Sequence, residues 1–256
     1  IPMNPVDDKS CFVTLPQRGI VRVSGPEASK FLQNLVTNDL DRLTSTATIH
    51  ACLLSPQGKF LHDFYITKDG ETYLLNCEGN TRTEDLAKRL GFYKLRSKIT
   101  IDHISQVRTF LSLPDWQISY SAFPLFPEVS FENWDKFRIL HGRPDGSRDA
   151  EIGLSTLAEL NLDTTTVSYT KGCYIGQELV ARMHNRNLGK KHLVALEFDS
   201  PQPAWGEEIK MEDLSLGYMR SSCQKMGLAL MTFETEEFLK QRREENKDDP
   251  VRLLGQ

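Results

Sequence analysis

Lys171-Gly172-Cys173-Tyr174-Ile175-Gly176-Gln177-Glu178 is the stretch on which the reading of this chain turns. One cysteine sits between two glycines, just after a basic residue, and the run leads into the helix-favouring Glu178-Leu179-Val180-Ala181-Arg182-Met183. Free backbone N–H groups at a helix start and a neighbouring lysine charge both favour thiolate over thiol. Thiolate is the form that attacks electrophiles and binds metal. Most cysteines are small buried hydrophobes, and a glycine pair often marks only a tight turn. Here Lys171, the flanking Gly172 and Gly176, and the polar Gln177-Glu178 weigh toward a working thiol. The spacing alone names no reaction.

Composition narrows the classes. A chain of 256 residues makes one large domain or two modest ones, each with a real core. A net charge of −4 gives no support to a nucleic-acid binder driven by phosphate neutralisation. No apolar run has the length of a membrane span, so a soluble chain without membrane insertion is expected. Cys11, Cys52, Cys77, Cys173 and Cys223 are odd in number and contain no C-x-x-C pair. That pattern argues against a disulfide scaffold, a zinc finger or a self-contained iron–sulfur site, and it suits a reducing compartment. The first residue is Ile1, so a leader removed earlier is compatible with the chain, and the residues leave location open.

The pattern along the chain predicts an α+β fold. Two opening strands, Cys11 to Leu15 and Ile20 to Val23, are expected to be joined through Pro16-Gln17-Arg18-Gly19. A helix follows, with Ser24 and Glu27 as a capping box and Ala28, Phe31, Leu32, Leu35 and Val36 at helical spacing. Three strands are expected over Thr46 to Leu54, Lys59 to Thr67 and Glu71 to Cys77, turning at Ser55-Pro56-Gln57-Gly58 and Lys68-Asp69-Gly70. A second capped helix starts near Thr81 and stops at Gly91, and a strand covers Lys98 to Ile104. Pro114 to Pro127 reads as an irregular connection, and Phe131 to Leu140 as a short helix. Beyond Lys190, short β-like pieces at Lys191 to Phe198, Glu208 to Met211, Ser215 to Arg220 and Gly227 to Phe233 predict a small antiparallel barrel. The division expected is a body over 1–190 and a C-terminal unit over 191–256, whose charged tail reads as a solvated helix.

Few other residues suggest chemistry. Asp63 shares a strand face with Leu61 and Tyr65, so its carboxylate is partly buried and needs a partner. It is suited to anchoring the N–H groups of a pterin or accepting a proton, and equally to capping a loop. Asn38 and Asp39 end the first helix, where such residues usually satisfy backbone groups. Glu159 lies among apolar residues near the cysteine loop, as a possible ligand anchor. His184 matches no metal spacing with Cys173. No G-x-S-x-G, Walker loop or dinucleotide fingerprint is present.

Taken together, these stretches resemble a known family. Lys171 to Glu178 is similar to the K-G-C-[YF]-x-G-Q-E signature of the YgfZ-type proteins, relatives of the folate-binding T-protein of glycine cleavage. Phe31 to Asp39, Gly58 to Phe64, Tyr93-Lys94-Leu95-Arg96 and Leu157 to Leu162 resemble further motifs of that family, in the family's order. Ala158 is unusual in the last of them. The likeness spans roughly residues 10 to 233. It implies a folate-binding body with a C-terminal barrel, and a tetrahydrofolate-type pocket with Asp63 and Glu159 as contacts and Asn38 and Asp39 nearby.

The same resemblance implies a mitochondrial matrix protein that helps mature [4Fe–4S] proteins with A-type iron–sulfur carriers. It makes an assembly factor a better expectation than a standard enzyme. The aminomethyltransferase branch has two adjacent aspartates where this chain has His62-Asp63, and it lacks the cysteine signature. That departure turns the expectation from aminomethyl transfer toward thiol or metal chemistry. A cluster usually takes about four protein ligands, so Cys173 is expected to give one ligand to a transient [2Fe–2S] or [4Fe–4S] cluster shared with a partner. Lys171 is expected to favour its ionised form. A folate-dependent one-carbon (aminomethyl) transferase and a non-catalytic folate-binding scaffold stand as alternatives.

Overall fold

The computed structural model describes residues 10–186, 188–245 and 247–254. Two largely antiparallel sheets carry the chain, one in each half.

The first sheet has seven strands. β1 (Cys11–Ser24) is followed by α1 (Ala28–Gln33) and a meander of β2 (Ile49–Leu54), β3 (Phe60–Asp69) and β4 (Thr72–Glu78). α2 (Thr81–Lys94) leads to β5 (Thr100–Leu113), then to the two-residue strands β6 (Ile118–Ser119) and β7 (Glu128–Val129). The spatial order is β2-β3-β4-β1-β5-β6, with β7 parallel to β1. The expected opening hairpin is absent. Pro16-Gln17-Arg18-Gly19 is instead a bulge within one long strand paired to β5, with register shifts on both sides of Arg18. The bulge changes which face the side chains meet. Cys11, Val13 and Leu15 pack with Trp134 and Phe137, whereas Val21 and Val23 pack with Phe31, Leu32, Leu86 and Leu90. It also turns Arg18 inward, to 8% exposure.

α1 is shorter than its apolar spacing suggests. Val36 forms an isolated bridge with Leu53, and Thr37 N–H donates to the Cys52 carbonyl, so the strand captures the chain before another turn forms. Glu27 does not complete a capping box, because its carboxylate accepts the Lys98 N–H. α2 runs past Gly91, which lies on an open face where nothing interrupts the helix. A lone glycine there costs about 1 kcal/mol and does not stop a helix whose Leu86 and Leu90 are fully buried.

α3 (Phe131–Leu140) packs on the other face of the sheet, and α4 (Gln177–Arg186) follows the cysteine loop. The second sheet contains β8 (Lys191–Phe198), β9 (Glu208–Met211), β10 (Leu214–Cys223), β11 (Met226–Thr232) and β12 (Val251–Leu253), in the order β12-β8-β11-β10-β9. The charged tail is more than a solvated helix. α5 (Phe233–Glu244) buries Leu239 at 2% exposure, and the chain then returns as β12 beside β8.

A buried ion network ties α3 to the second sheet. Arg138, 0% exposed, donates to Asp135 Oδ1 at 2.6 Å, Asp149 Oδ2 at 2.9 Å and Ser221 Oγ at 2.8 Å. Asp149 in turn accepts the Ser221 N–H and hydroxyl.

Candidate functional site

The cysteine loop is held on both flanks and open at its tip. The Tyr174 ring is buried in a cluster with Cys52, Leu54, Phe60 and Val180, and Ile175 packs against the core beneath α1 and α2. Gly172 and Cys173 are exposed. Gly176, at φ +81°, passes so close to the β2–β3 turn that a Cβ would lie 2.6 Å from the Ser55 oxygen and 2.9 Å from Gly58 Cα. Gly58, at φ +80°, would place a Cβ 2.8 Å from the Gly176 oxygen. Two glycine turns far apart in sequence therefore interlock. Of the five cysteines, Cys11, Cys52 and Cys77 are buried, Cys223 is half-buried and Cys173 alone is exposed. Burial pushes the thiol pKa of each of the other four upward.

Behind the loop, Val36-Thr37-Asn38 acts as a splice between β2 and the segment 166–171. Lys171 Nζ donates to the Val36 carbonyl at 2.7 Å and to the Asn38 carbonyl at 2.9 Å. Thr37 Oγ1 donates to the Thr166 carbonyl and accepts the Cys52 N–H, and the Thr37 carbonyl accepts the Ser168 N–H. Asn38 Nδ2 donates to the His50 carbonyl at 2.8 Å, and Asn38 Oδ1 accepts from Asp39 N–H and Arg42. Asp39 caps the turn Leu40–Thr44 and accepts from Gln33 Nε2; that bond first, then the Asp41 N–H and the Lys171 charge, holds its carboxyl below the usual range against a burial cost.

Lys171 points away from solvent. Its amine is buried, turned inward onto carbonyls and set 5.4 Å over the Tyr174 ring. Burial pulls its pKa down to about 8, with Asp39 and Asp41 opposing.

Asp63 does find a partner, and it is His50. Asp63 Oδ2 lies 2.9 Å from His50 Nε2, and the imidazole stacks on Tyr65 at 4.5 Å. Burial pulls the His50 pKa down, so near neutral pH the ring is uncharged and its Nε2–H donates to Asp63. His50 Nδ1 then presents a buried lone pair with no partner. Burial alone would raise the Asp63 carboxyl, but the His50 bond and the Arg18 charge hold it below the usual range. The strand bulge supplies that arginine, fixed to Asn76 through Nε at 2.9 Å. Gly146 closes over this wall, with a Cβ there only 3.5 Å from Asp63 Oδ1. His62 faces the opposite way, 2.7 Å from Asp85 Oδ2, and burial takes its pKa down to about 4.

Glu159 is engaged locally. Its carboxylate accepts the Thr156 N–H at 2.8 Å and hydroxyl at 3.1 Å, while its carbonyl receives the Leu193 N–H of β8. This is a helix-start type of cap rather than a free anchor.

A groove of about 980 Å³ opens between the α3 exit, the turn at Asn161-Leu162, β8 and α5. Arg143 stands in its wall, stacked 3.5 Å over the Trp116 ring, and its charge reaches His50 and Tyr65. Among the described residues, no group of three His, Cys, Asp or Glu side chains is placed to hold a metal ion. No helix among them is long and apolar enough to cross a membrane.

The sequence did not single out His50, Arg18, Arg143 or Thr37. A polar His50 within the apolar β2 run was an available signal, whereas Arg18 and Arg143 owe their positions to a bulge and a loop.

A family model described as "CAF17, C-terminal beta-barrel domain" matches residues 190–244. The chain is 28% identical to the mouse protein named "Iron-sulfur cluster assembly factor IBA57, mitochondrial", over 91% of this chain and 80% of that one. The human protein of the same name is 29% identical, over 88% of this chain and 78% of its relative. Among solved structures, the glycine cleavage system aminomethyltransferase T from Bartonella henselae superposes with a TM-score of 0.67. That match covers 88% of this chain and 79% of the other at 12% identity, and it bears on the fold alone. The departure from the expected opening hairpin leaves that architecture intact: this chain has the fold of the glycine cleavage aminomethyltransferase, is similar along most of its length to the IBA57 factors, and matches the CAF17 C-terminal barrel over residues 190–244.

Proposed function

We propose that this protein is an iron–sulfur cluster assembly factor of the mitochondrial matrix, working with an A-type carrier. In this reading Cys173 supplies one thiolate ligand to a [2Fe–2S] or [4Fe–4S] cluster that is cargo, and the carrier supplies the others. One observation carries it: the exposed cysteine stands at the tip of a loop anchored on both sides. A single cysteine cannot hold a cluster alone, since clusters usually take about four protein ligands. On ligation the thiol gives its proton to solvent. The relatives' names support the assembly role.

A reduced folate is proposed as a second ligand. The chemistry of the wall fits its ring: Asp63 as acceptor for ring N–H groups, and the unpartnered His50 Nδ1 as a second acceptor. Arg143 and the adjoining groove suit the anionic remainder of such a molecule, and the groove's volume falls in the range of ligand sites. Asn38, Asp39 and Glu159 would support this wall indirectly, since their polar groups are engaged in the splice and the cap. The aminomethyltransferase alternative is weaker here, because His62 faces α2 and pairs with Asp85 instead of adding a second carboxylate beside Asp63.

The test mixes the protein anaerobically with a cluster-loaded A-type carrier and follows visible circular dichroism. Cys173→Ser is expected to abolish the signal of the mixed complex, and Asp63→Asn to leave it. A folate-dependent transferase would instead form no such signal, lose turnover with Asp63→Asn and keep it with Cys173→Ser.

A further inference from the structure

We propose that Lys171 is a positioning residue that transmits the state of the Asp63–His50 wall to Cys173. The inference rests on the reading of Cys173 as the working thiol. A path of three hydrogen bonds, joined through the covalent frames of His50 and Asn38 and ending two residues along the chain from the thiol, links the two places. Asp63 Oδ2 meets His50 Nε2 at 2.9 Å, and the His50 carbonyl receives Asn38 Nδ2 at 2.8 Å. The Asn38 carbonyl receives Lys171 Nζ at 2.9 Å, and Lys171 stands two residues before Cys173.

Each hydrogen bond along it is short, between 2.8 and 2.9 Å. The Lys171 amine is buried and anchored on two carbonyls of one segment, so displacement of Asn38 must move the amine or break a charge-assisted bond. Gly172 has open space around it and lies between this anchor and the thiol, so Lys171 fixes where the exposed tip begins. A lysine needed only for surface charge would keep its amine in water. Here the amine is instead withdrawn from water and turned onto the Val36 and Asn38 carbonyls at 2.7 and 2.9 Å. The Tyr174 ring on its own loop completes the surroundings.

The experiment reads the loop without folate, carrier or cluster. Cys173 is tagged with a trifluoromethyl group in a Cys223→Ser chain, and its ¹⁹F resonance is recorded with the wall intact and with Asp63→Asn. With Lys171 present, Asp63→Asn is expected to shift the resonance. With Lys171→Met, at least four-fifths of that shift is expected to be lost, and Lys171→Arg is expected to restore it. Asn38→Ala, which removes the contact to His50 and keeps the backbone carbonyl at that position, gives the same loss of response and serves if Lys171→Met does not fold. An equal shift in the Lys171→Met or Asn38→Ala background, or no shift with Lys171, overturns the proposal. Cluster binding lost in Cys173→Ser is a separate readout, so failure of the assembly reading is told apart from failure of this one.

Discussion

Gly58 and Gly176 cross backbone against backbone, each in the left-handed region, at φ +80° and +81°. Neither has room for a Cβ: one on Gly58 would lie 2.8 Å from the Gly176 oxygen, and one on Gly176 2.9 Å from Gly58 Cα. The turn before β3 is thereby the floor on which the cysteine loop rests.

Alanine at either position combines a disfavoured φ with a backbone clash that no rotamer relieves. Gly58→Ala and Gly176→Ala are each expected to destabilise the fold by roughly 1–3 kcal/mol. Gly70→Ala meets nothing within 4 Å and sits at φ +57°, so it costs only the strain of φ, about 1 kcal/mol. Urea unfolding of the three variants checks the order.

Arg138 is the centre of the network between α3 and β10, with Asp135 and Asp149 beside it. Arg138→Met leaves Asp149, 0% exposed, without its counter-charge. Breaking one side of a buried pair typically costs about 3–5 kcal/mol, so this variant is expected to unfold at much lower urea than the parent. A change within about 0.5 kcal/mol, the usual range for a surface substitution, would remove the network from the account of stability.

His62 sets a pH dependence. Its folded pKa is about 4 against an ordinary value of 6.5, because burial disfavours the charged ring. Between those values the unfolded chain binds the extra proton, so stability rises with pH and is lost as pH falls from about 6.5 to 4. The contribution is on the order of 3 kcal/mol. Burial works against Asp85, but its bonds from Arg89 and His62 hold its carboxyl below the usual range, so its own contribution to stability is lost only at still lower pH. Unfolding free energies at about pH 7 and about pH 4.5 are expected to differ less in His62→Gln than in the parent.

Thiol accessibility is expected to divide the cysteines. A small disulfide reagent should modify Cys173 first in the native protein, Cys223 more slowly, and Cys11, Cys52 and Cys77 only on unfolding. Peptide mapping after a short exposure identifies the first site, and its absence in Cys173→Ser confirms the assignment.

The meander β2-β3-β4, α3 and most of the second sheet were legible because their alternation and turn residues are local. Pro16-Gln17-Arg18-Gly19 has the composition of a turn, yet the chain runs on as one strand because β5 offers a partner along its whole length. No local signal shows a partner that arrives some ninety residues later. β12 was missed for the same reason: three residues pair only because β8 has a free edge. At the site, the glycines and Cys173 were legible as a signature. The inward turn of Lys171 depends on the Val36-Thr37-Asn38 splice, which brings together segments more than a hundred residues apart, whereas His50 reaches Asp63 from the neighbouring strand β2.

In the proposed function, the thiol at the tip of the loop completes the coordination of a cluster held by a second chain. Native mass spectrometry of an anaerobic mixture with a cluster-loaded A-type carrier measures it directly. The expected result is a mixed complex retaining iron and sulfide with Cys173 and lacking both with Cys173→Ser. A mixed complex that keeps its cluster in the Cys173→Ser variant would contradict the account.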